Sequence, residues 1–253
     1  MTALTTAPET LEGWWALHDI RRIDWPRWKQ VAAGERAEII AEAQAFCERV
    51  LRVADAPEGS SGLFRVLGQK GDWMLLHLRP SLEQLSALEQ EFARTRLADF
   101  LLPAYSFVSI VELSRHAAAA GDVADLAQNE YVRGRLYPQL PAVRTVCFYP
   151  MSKKREGDDN WYTLSPERRR VLMRDHGMVG RKYAEHVTQI ITGATGLDDW
   201  EWGVTLFADD PLWFKKLVYE MRFDEASARY ALFGPFFIGI RMEPGELASL
   251  LAV

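Results

Sequence analysis

Cysteine is nearly absent from this 253-residue chain: Cys47 and Cys147 are the whole complement, and both sit inside apolar patterns. Two isolated thiols cannot staple a small fold. The chain must be held by a core, which a 48% hydrophobic composition can fill, and both cysteines read as buried free thiols. No run of about 18 uncharged apolar residues occurs, which excludes a membrane-spanning helix on hydropathy. The opening MTALTTAPETLEG has no basic segment leading into an apolar one, so a cytoplasmic protein without a signal peptide is expected. Basic excess is missing too: Lys+Arg number 30 against Asp+Glu 35, a net charge of -5. That balance argues against a nucleic-acid partner, although a local basic cluster can still hold a small anion. Histidine is scarce and scattered, at 18, 77, 116, 176 and 186, and neither cysteine belongs to a CxxC pair, so no zinc set is present.

What is there falls into two stretches of similar order. Leu11 to Asp19 is expected as a strand, and 24–53 as one helix with Pro26 early and Ile39, Ala43, Phe46, Val50 and Val53 on its apolar side. Leu63–Leu67 and Asp72–Arg79 read as strands around a Gly68–Gly71 turn, Ser81 as the cap of a helix with Leu82, Leu85, Leu88 and Phe92, and Phe100–Leu113 as a strand again. Residues 114–142 read as a loosely packed connector. The order then restarts: Val143–Tyr149 extended, a helix from Ser165 to about Glu185, Thr188–Thr192 and Trp200–Phe207 extended, Pro211–Met221 helical, and Pro235–Met242 extended. Strand, helix, two strands, helix, strand is a ferredoxin-like order. The expected units are 11–113, the connector 114–142, and 143–253, with the two half-sheets joining into an eight-stranded wall.

The unusual residues concentrate in the second unit. YPMSKKREGDDNWY, from Tyr149 to Tyr162, presents Lys153, Lys154 and Arg155, which is either a clamp for phosphate or carboxylate or a solvated basic turn. Trp161 in that polar loop wants a core or a flat ligand. His176 recurs with Leu172, Val179 and Tyr183 at helical spacing, flanked by Gly177 and Gly180. It is either a satisfied core histidine or an axial ligand for a flat macrocycle. The other four histidines read as structural or surface residues, and TGATG as a turn without the lysine of a phosphate loop. Arg133 and Arg135 would share a side if their segment were extended. Arg222 and Ser227, with Asp224 and Glu225, follow an apolar helix as anion donors or as ordinary caps.

Taken together, YPMSKKR, NWY, MRDHGMVGRKY, TQIITGATGLDDWEWGVTLF, FKKLVYEMRFDEASARY and FGPFFIGIR, with YVRGRLYP before them, resemble the chlorite dismutase family. The resemblance is to its coproheme decarboxylase branch of haem synthesis, in the firmicute-like form, and is dense over about 143–242. It implies an α+β fold, a dimeric α+β barrel made of two ferredoxin-like halves, assembled as a homopentamer. The implied reaction converts two propionates of iron coproporphyrin III (coproheme) to vinyl groups with hydrogen peroxide, giving haem b through a mono-vinyl intermediate. The porphyrin is substrate and redox centre at once. By the same resemblance His176 is the proximal iron ligand and Gln189 the distal residue, where chlorite-decomposing members carry arginine. Tyr149 is the tyrosine oxidised to a radical, Lys153 its neighbour at the reactive propionate, and Trp161 the aromatic near the second one. Arg135, Arg222 and Ser227 hold propionates, Trp202 is a redox-relevant aromatic, and coproporphyrin ferrochelatase is a transient partner. A haem-delivery protein and a chlorite-decomposing or generic peroxidase are the competing classes.

Overall fold

The computed structural model describes residues 7–114 and 129–253. The first strand, β1 (Thr10–Ile23), is longer than its alternation suggests, because it pairs with two neighbours along most of its length. The expected single helix over 24–53 is two pieces, α1 (Trp25–Trp28) and α2 (Ala33–Leu51). Trp28 forces the break: its ring is fully buried and its indole N–H donates to the Leu251 carbonyl at 2.9 Å, so the chain must turn before α2 can lay Ile39, Ala43, Phe46 and Val50 on the sheet. β2 (Ser60–Leu67) and β3 (Trp73–Arg79) form the hairpin, and β3 is buried at all seven positions, as its unbroken apolar run requires. Ser81 caps α3 (Leu82–Ala93) in a reciprocal capping box with Gln84, an arrangement contributing about 1 kcal/mol. β4 (Leu101–Ser114) follows.

Within the connector, the expected loose packing is wrong for Glu130–Leu136. That segment is a helix, α4, whose Val132 and Leu136 are buried with Leu113 against β1 and β4. Arg133 and Arg135 therefore diverge around a helical turn instead of sharing one side. His116 lies outside the described residues. The second stretch comprises β5 (Thr145–Lys153), the two-residue strands β6 (Arg155–Glu156) and β7 (Asp159–Asn160), and α5 (Pro166–Arg181), which stops short of Glu185. Then come β8 (Thr188–Gly193), β9 (Trp202–Ala208), α6 (Leu212–Met221), α7 (Glu225–Ala228), β10 (Ala231–Phe233) and β11 (Phe237–Arg241).

The expected dimeric barrel of two ferredoxin-like halves is corrected by the sheet. The strands form one nine-stranded antiparallel sheet in the order β10-β5-β11-β2-β3-β1-β4-β8-β9, with a further β5–β9 pairing, and helices on its outside. The physical reason is the open ladder that β2 and β4 would each present as edges. Instead β11 pairs with β2 from Ile238 opposite Leu67, β8 pairs with β4 at Gly193 opposite Ile110, and β10 adds a ninth strand on the C-terminal end of β5. One sheet thus spans both stretches.

Alternation along the strands makes two surfaces. Phe64, Met74, Phe107, Val146, Phe148 and Phe207 meet in an inner core shared by the whole sheet. On the outside, α2 and α3 close over Trp73, Leu75, Phe46 and Phe92 in a filled aromatic core. The outer face of β5 and β9 carries Cys147, Tyr149, Val204 and Leu206, covered in part by Phe214 and Leu217 of α6. It is this second outer face that positions the site.

Candidate functional site

Helix α5 starts where the sequence says it should, with Ser165 accepting from the Arg168 amide and Pro166 in the first turn. It is strongly polar, however, and buries only Arg169 and Leu172. Its main packing is against α6 and α7, whereas α2 and α3 lie directly on β2 and β3. An outer helix that rests on other helices leaves its sheet-facing side available to something else. The same helix carries His176, half-buried, with Val179 and Gly180. A Cβ at Gly180 would sit 3.2 Å from Met221 Cε and 3.5 Å from Gln189 Nε2, so the glycine lets the end of α5 approach β8 at Gln189.

His176 is oriented from behind. Its Nδ1 lies 3.1 Å from Asp224 Oδ2, which fixes the proton on Nδ1 and turns the Nε2 lone pair away. Ser227 holds the same carboxylate through its amide at 3.0 Å and its hydroxyl at 3.0 Å. Burial alone would raise the Asp224 carboxyl, yet the hydrogen bond and charge of His176 and the bonds from Ser227 hold it below the usual carboxylate range. The carboxylate is therefore ionised at neutral pH. Nε2 has no hydrogen-bond partner among the described residues.

Lys153, at the end of β5, points into the same group. It is buried, its Nζ donates to the Ala226 carbonyl at 3.1 Å, and it lies 4.4 Å from the Trp161 ring centroid. Burial pulls the ammonium down to about 8, opposed by the charges of Asp224 and Glu201. Trp161 is accordingly no surface tryptophan: it packs 5.6 Å from Tyr230 and beside Leu172 and Ala226. Four residues earlier on β5, Tyr149 is 5% exposed and stacks on Phe236 at 4.4 Å between centroids. Burial pushes its phenol far above the ordinary tyrosine range; Cys147 adds to this and the Arg222 charge opposes it. Arg222 itself is exposed, with its guanidinium 3.8 Å over Phe233, a second neighbour of Tyr149.

These contacts form two sets: His176, Asp224, Ser227, Lys153 and Trp161 in one, and Tyr149, Phe233, Phe236 and Arg222 in the other, joined through the strand β5 that carries both Tyr149 and Lys153; Gln189 lies at the Gly180 end of α5. Two predicted residues sit elsewhere. Arg135 is exposed on α4, donating to the Tyr131 hydroxyl at 3.4 Å. Trp202, opposite Met151 on β9, donates from its indole to Glu112 at 3.4 Å. A cleft of about 520 Å³ lies behind the histidine, lined by Leu172, Asp175, Met178, Val179, Lys182, Asp224 and Glu225. It touches Asp224 but neither Tyr149 nor Lys153.

Sequence reasoning did not single out Glu201, Tyr230, Phe233 or Phe236 individually. The signal for the last two is FGPFF, a cluster of aromatics too dense for a turn. The partnership of His176 with Asp224 carries no sequence signal, since 48 residues separate them. The three other described histidines, 18, 77 and 186, are structural. His18 is bonded to Thr205 at 2.8 Å and stacked 3.9 Å from Phe148, His77 is bonded to Ser61 at 2.8 Å, and burial pushes both down to about 3. His186 stacks on Trp213 at 3.7 Å. Among the described residues no group of three or more His, Cys, Asp or Glu could hold a metal ion, and no helix is long and apolar enough to cross a membrane.

The family profile described as chlorite dismutase matches residues 36–242. The chain belongs to the chlorite dismutase family. A heme-binding protein from Thermus thermophilus is 44% identical, with 99% of each chain covered and a TM-score of 0.92. A variant chlorite dismutase from Candidatus Nitrospira defluvii, 19% identical, covers 96% of each chain at a TM-score of 0.75, which shows a common fold. A complex of that enzyme with imidazole, 18% identical, gives a TM-score of 0.73, again with 96% of each chain covered. This member of the chlorite dismutase family thus carries the Asp224-oriented His176 on a family fold extending over nearly the entire chain.

Proposed function

We propose that this protein is a coproheme decarboxylase, converting two propionates of iron coproporphyrin III to vinyl groups with hydrogen peroxide and yielding haem b. The observation that carries this reading is the placement of Tyr149 and Lys153. Both are buried on β5, and Lys153 reaches Ala226, next to the Ser227 that helps orient Asp224 and His176. A haem-type ligand accords with the donor set: one imidazole with a free Nε2 and an ionised carboxylate behind it is sufficient for porphyrin iron, which needs no metal cluster. The 44% identity to a heme-binding protein supports the same ligand class. Gln189, in place of the arginine of chlorite-decomposing members, turns the reading away from chlorite chemistry.

When bound, the iron porphyrin supplies the one-electron oxidising power drawn from peroxide. The chain's own residues do the rest. His176 holds the iron through Nε2. Tyr149, kept protonated by burial, gives up its hydroxyl hydrogen atom and then recovers one from the β-carbon of the propionate. Loss of a second electron and of the carboxylate as carbon dioxide leaves the vinyl group. For each propionate, one peroxide and one proton are consumed and two waters and one carbon dioxide are formed. Lys153 grips the reacting carboxylate, Arg222 holds another propionate, Trp161 walls the pocket, and Ser227, whose amide and hydroxyl protons go to Asp224, serves by holding that carboxylate behind His176. Arg135 and Trp202 belong to the proposal through the resemblance alone, as a propionate contact and a redox relay. The same holds for assembly as a homopentamer, for transient contact with coproporphyrin ferrochelatase and for a cytoplasmic location.

Mass spectrometry of the porphyrin during peroxide titration tests the reading. Wild type should lose two carbon dioxides in sequence through a mono-vinyl species. Tyr149→Phe should bind coproheme and leave it intact, since the ring and its stacking on Phe236 survive while the O–H is gone. Oxygen release from chlorite, or binding without conversion by wild type, would overturn the proposal in favour of the competing classes.

A further inference from the structure

The loop that carries Trp161 is held by one side chain outside the group described above. Glu201 is 7% exposed, immediately before β9. Its backbone is fixed on three sides: its amide donates to Met151 O at 3.1 Å and to Ser152 Oγ at 3.1 Å, and its carbonyl accepts from Ala194 at 2.7 Å. Its carboxylate is thereby aimed at the far end of β5. Oε2 accepts the Lys153 amide at 2.7 Å, and Oε1 lies 3.9 Å from the Arg155 guanidinium. One anchored anion therefore grips the chain at 153 and 155. The intervening segment is a hairpin of two-residue strands with Gly157 at φ 50°, which has little packing of its own.

We propose that Glu201 is a positioning residue that latches the 153–162 hairpin down, so that the Trp161 ring and the Lys153 ammonium are presented together to the bound substrate. The inference rests on the functional reading above for what is presented, not for the latch. A buried carboxylate is costly unless its lone pairs are used, and here the Lys153 amide and the Arg155 guanidinium answer them. The other anchors of the segment are the Lys154 amide on Tyr230 O, the Trp161 amide on Lys154 O, Arg229 on Asp159, and the packing of the Trp161 ring against Leu172, Ala226 and Tyr230.

The test combines hydrogen exchange on the ligand-free protein with steady-state kinetics on coproheme and peroxide. Glu201→Ala should raise exchange of the amides from Lys153 to Tyr162 by at least about tenfold, the loss of roughly one charge-assisted hydrogen bond. Its kcat should fall about tenfold with KM changing less than about threefold, since the propionate contact from Arg222 remains. Glu201→Gln, which keeps an acceptor for the Lys153 amide, should recover most of both. Arg155→Ala removes the second grip at an exposed position. It should raise exchange in the same segment and so stands in if Glu201→Ala does not fold. Wild-type exchange in this hairpin for Glu201→Ala, or for Arg155→Ala in its place, would overturn the latch. So would an exchange increase in Glu201→Ala accompanied by unchanged kcat. Because the exchange experiment needs no substrate, absence of decarboxylation by wild type would refute the functional reading while the latch is still judged by exchange.

Discussion

Replacing Lys153 by methionine should make the protein more stable and less active at the same time. The lysine is buried, and its ammonium is pulled from 10.5 to about 8. At about 1.4 kcal/mol per pH unit, keeping that charge in the folded state at pH 7 costs about 3 kcal/mol. Losing the bond to the Ala226 carbonyl and the contact with the Trp161 face returns about 1.5 kcal/mol of that. A net gain of about 1.5 kcal/mol remains, or a Tm rise of roughly 3–6 °C for a chain of this length. The pH dependence gives the sharper check. Between about 8 and about 10.4 the unfolded chain still holds the lysine proton and the folded protein does not. Wild-type stability therefore gains with rising pH from this residue, and the advantage of Lys153→Met must shrink across that window and change sign near its middle, at about pH 9. Cys47 and Cys147, both pushed up to about 12 by burial, act in the opposite direction above about 8.5, but identically in both proteins. Urea unfolding of the pair at pH 7, 8, 9 and 10 isolates the difference. A variant less stable than wild type at pH 7, or a difference flat from pH 7 to 10, would refute the argument that the site holds a costly buried cation. Conversion of coproheme should meanwhile fall in the variant, because the carboxylate grip is gone.

Three further outcomes are expected. His176→Ala should abolish the imidazole-ligated spectrum of bound ferric coproporphyrin, with added imidazole restoring it; an unchanged spectrum would point to His186 instead. Gly13→Ala should destabilise by about 2–4 kcal/mol in urea unfolding and expose α4 to limited proteolysis, because a Cβ there overlaps the Leu136 carbonyl; wild-type resistance would contradict the packing of α4 on β1. Native mass spectrometry should give five subunits, and a monomer at micromolar concentration would remove the pentamer proposal without touching the enzyme proposal.

By itself, the sequence determined the nature and approximate bounds of most elements and offered a set of candidate site residues. Strand and helix periods are local, so the Ser81 cap, the doubly buried β3 and the Ser165–Pro166 start of α5 were all legible along the chain. The candidate residues were legible as a set of motifs, a cationic cluster and one histidine at helical spacing. Tertiary structure alone decided what those residues do to one another. The pairing of β11 with β2 and β8 with β4 depends on ladder edges far apart in sequence, so the fold decided which strands join the expected half-sheets and added β10 as a ninth strand where eight were expected. The break at Trp28 depends on a carbonyl 223 residues away, and the orientation of His176 on a carboxylate 48 residues away. Burial, too, is a property of the folded chain. It lowers the Lys153 ammonium, keeps the Tyr149 phenol protonated and turns Glu201 from one acidic residue among many into the anchor of a hairpin. Desolvation needs neighbours on every side, and neighbours on every side are what a linear pattern cannot specify.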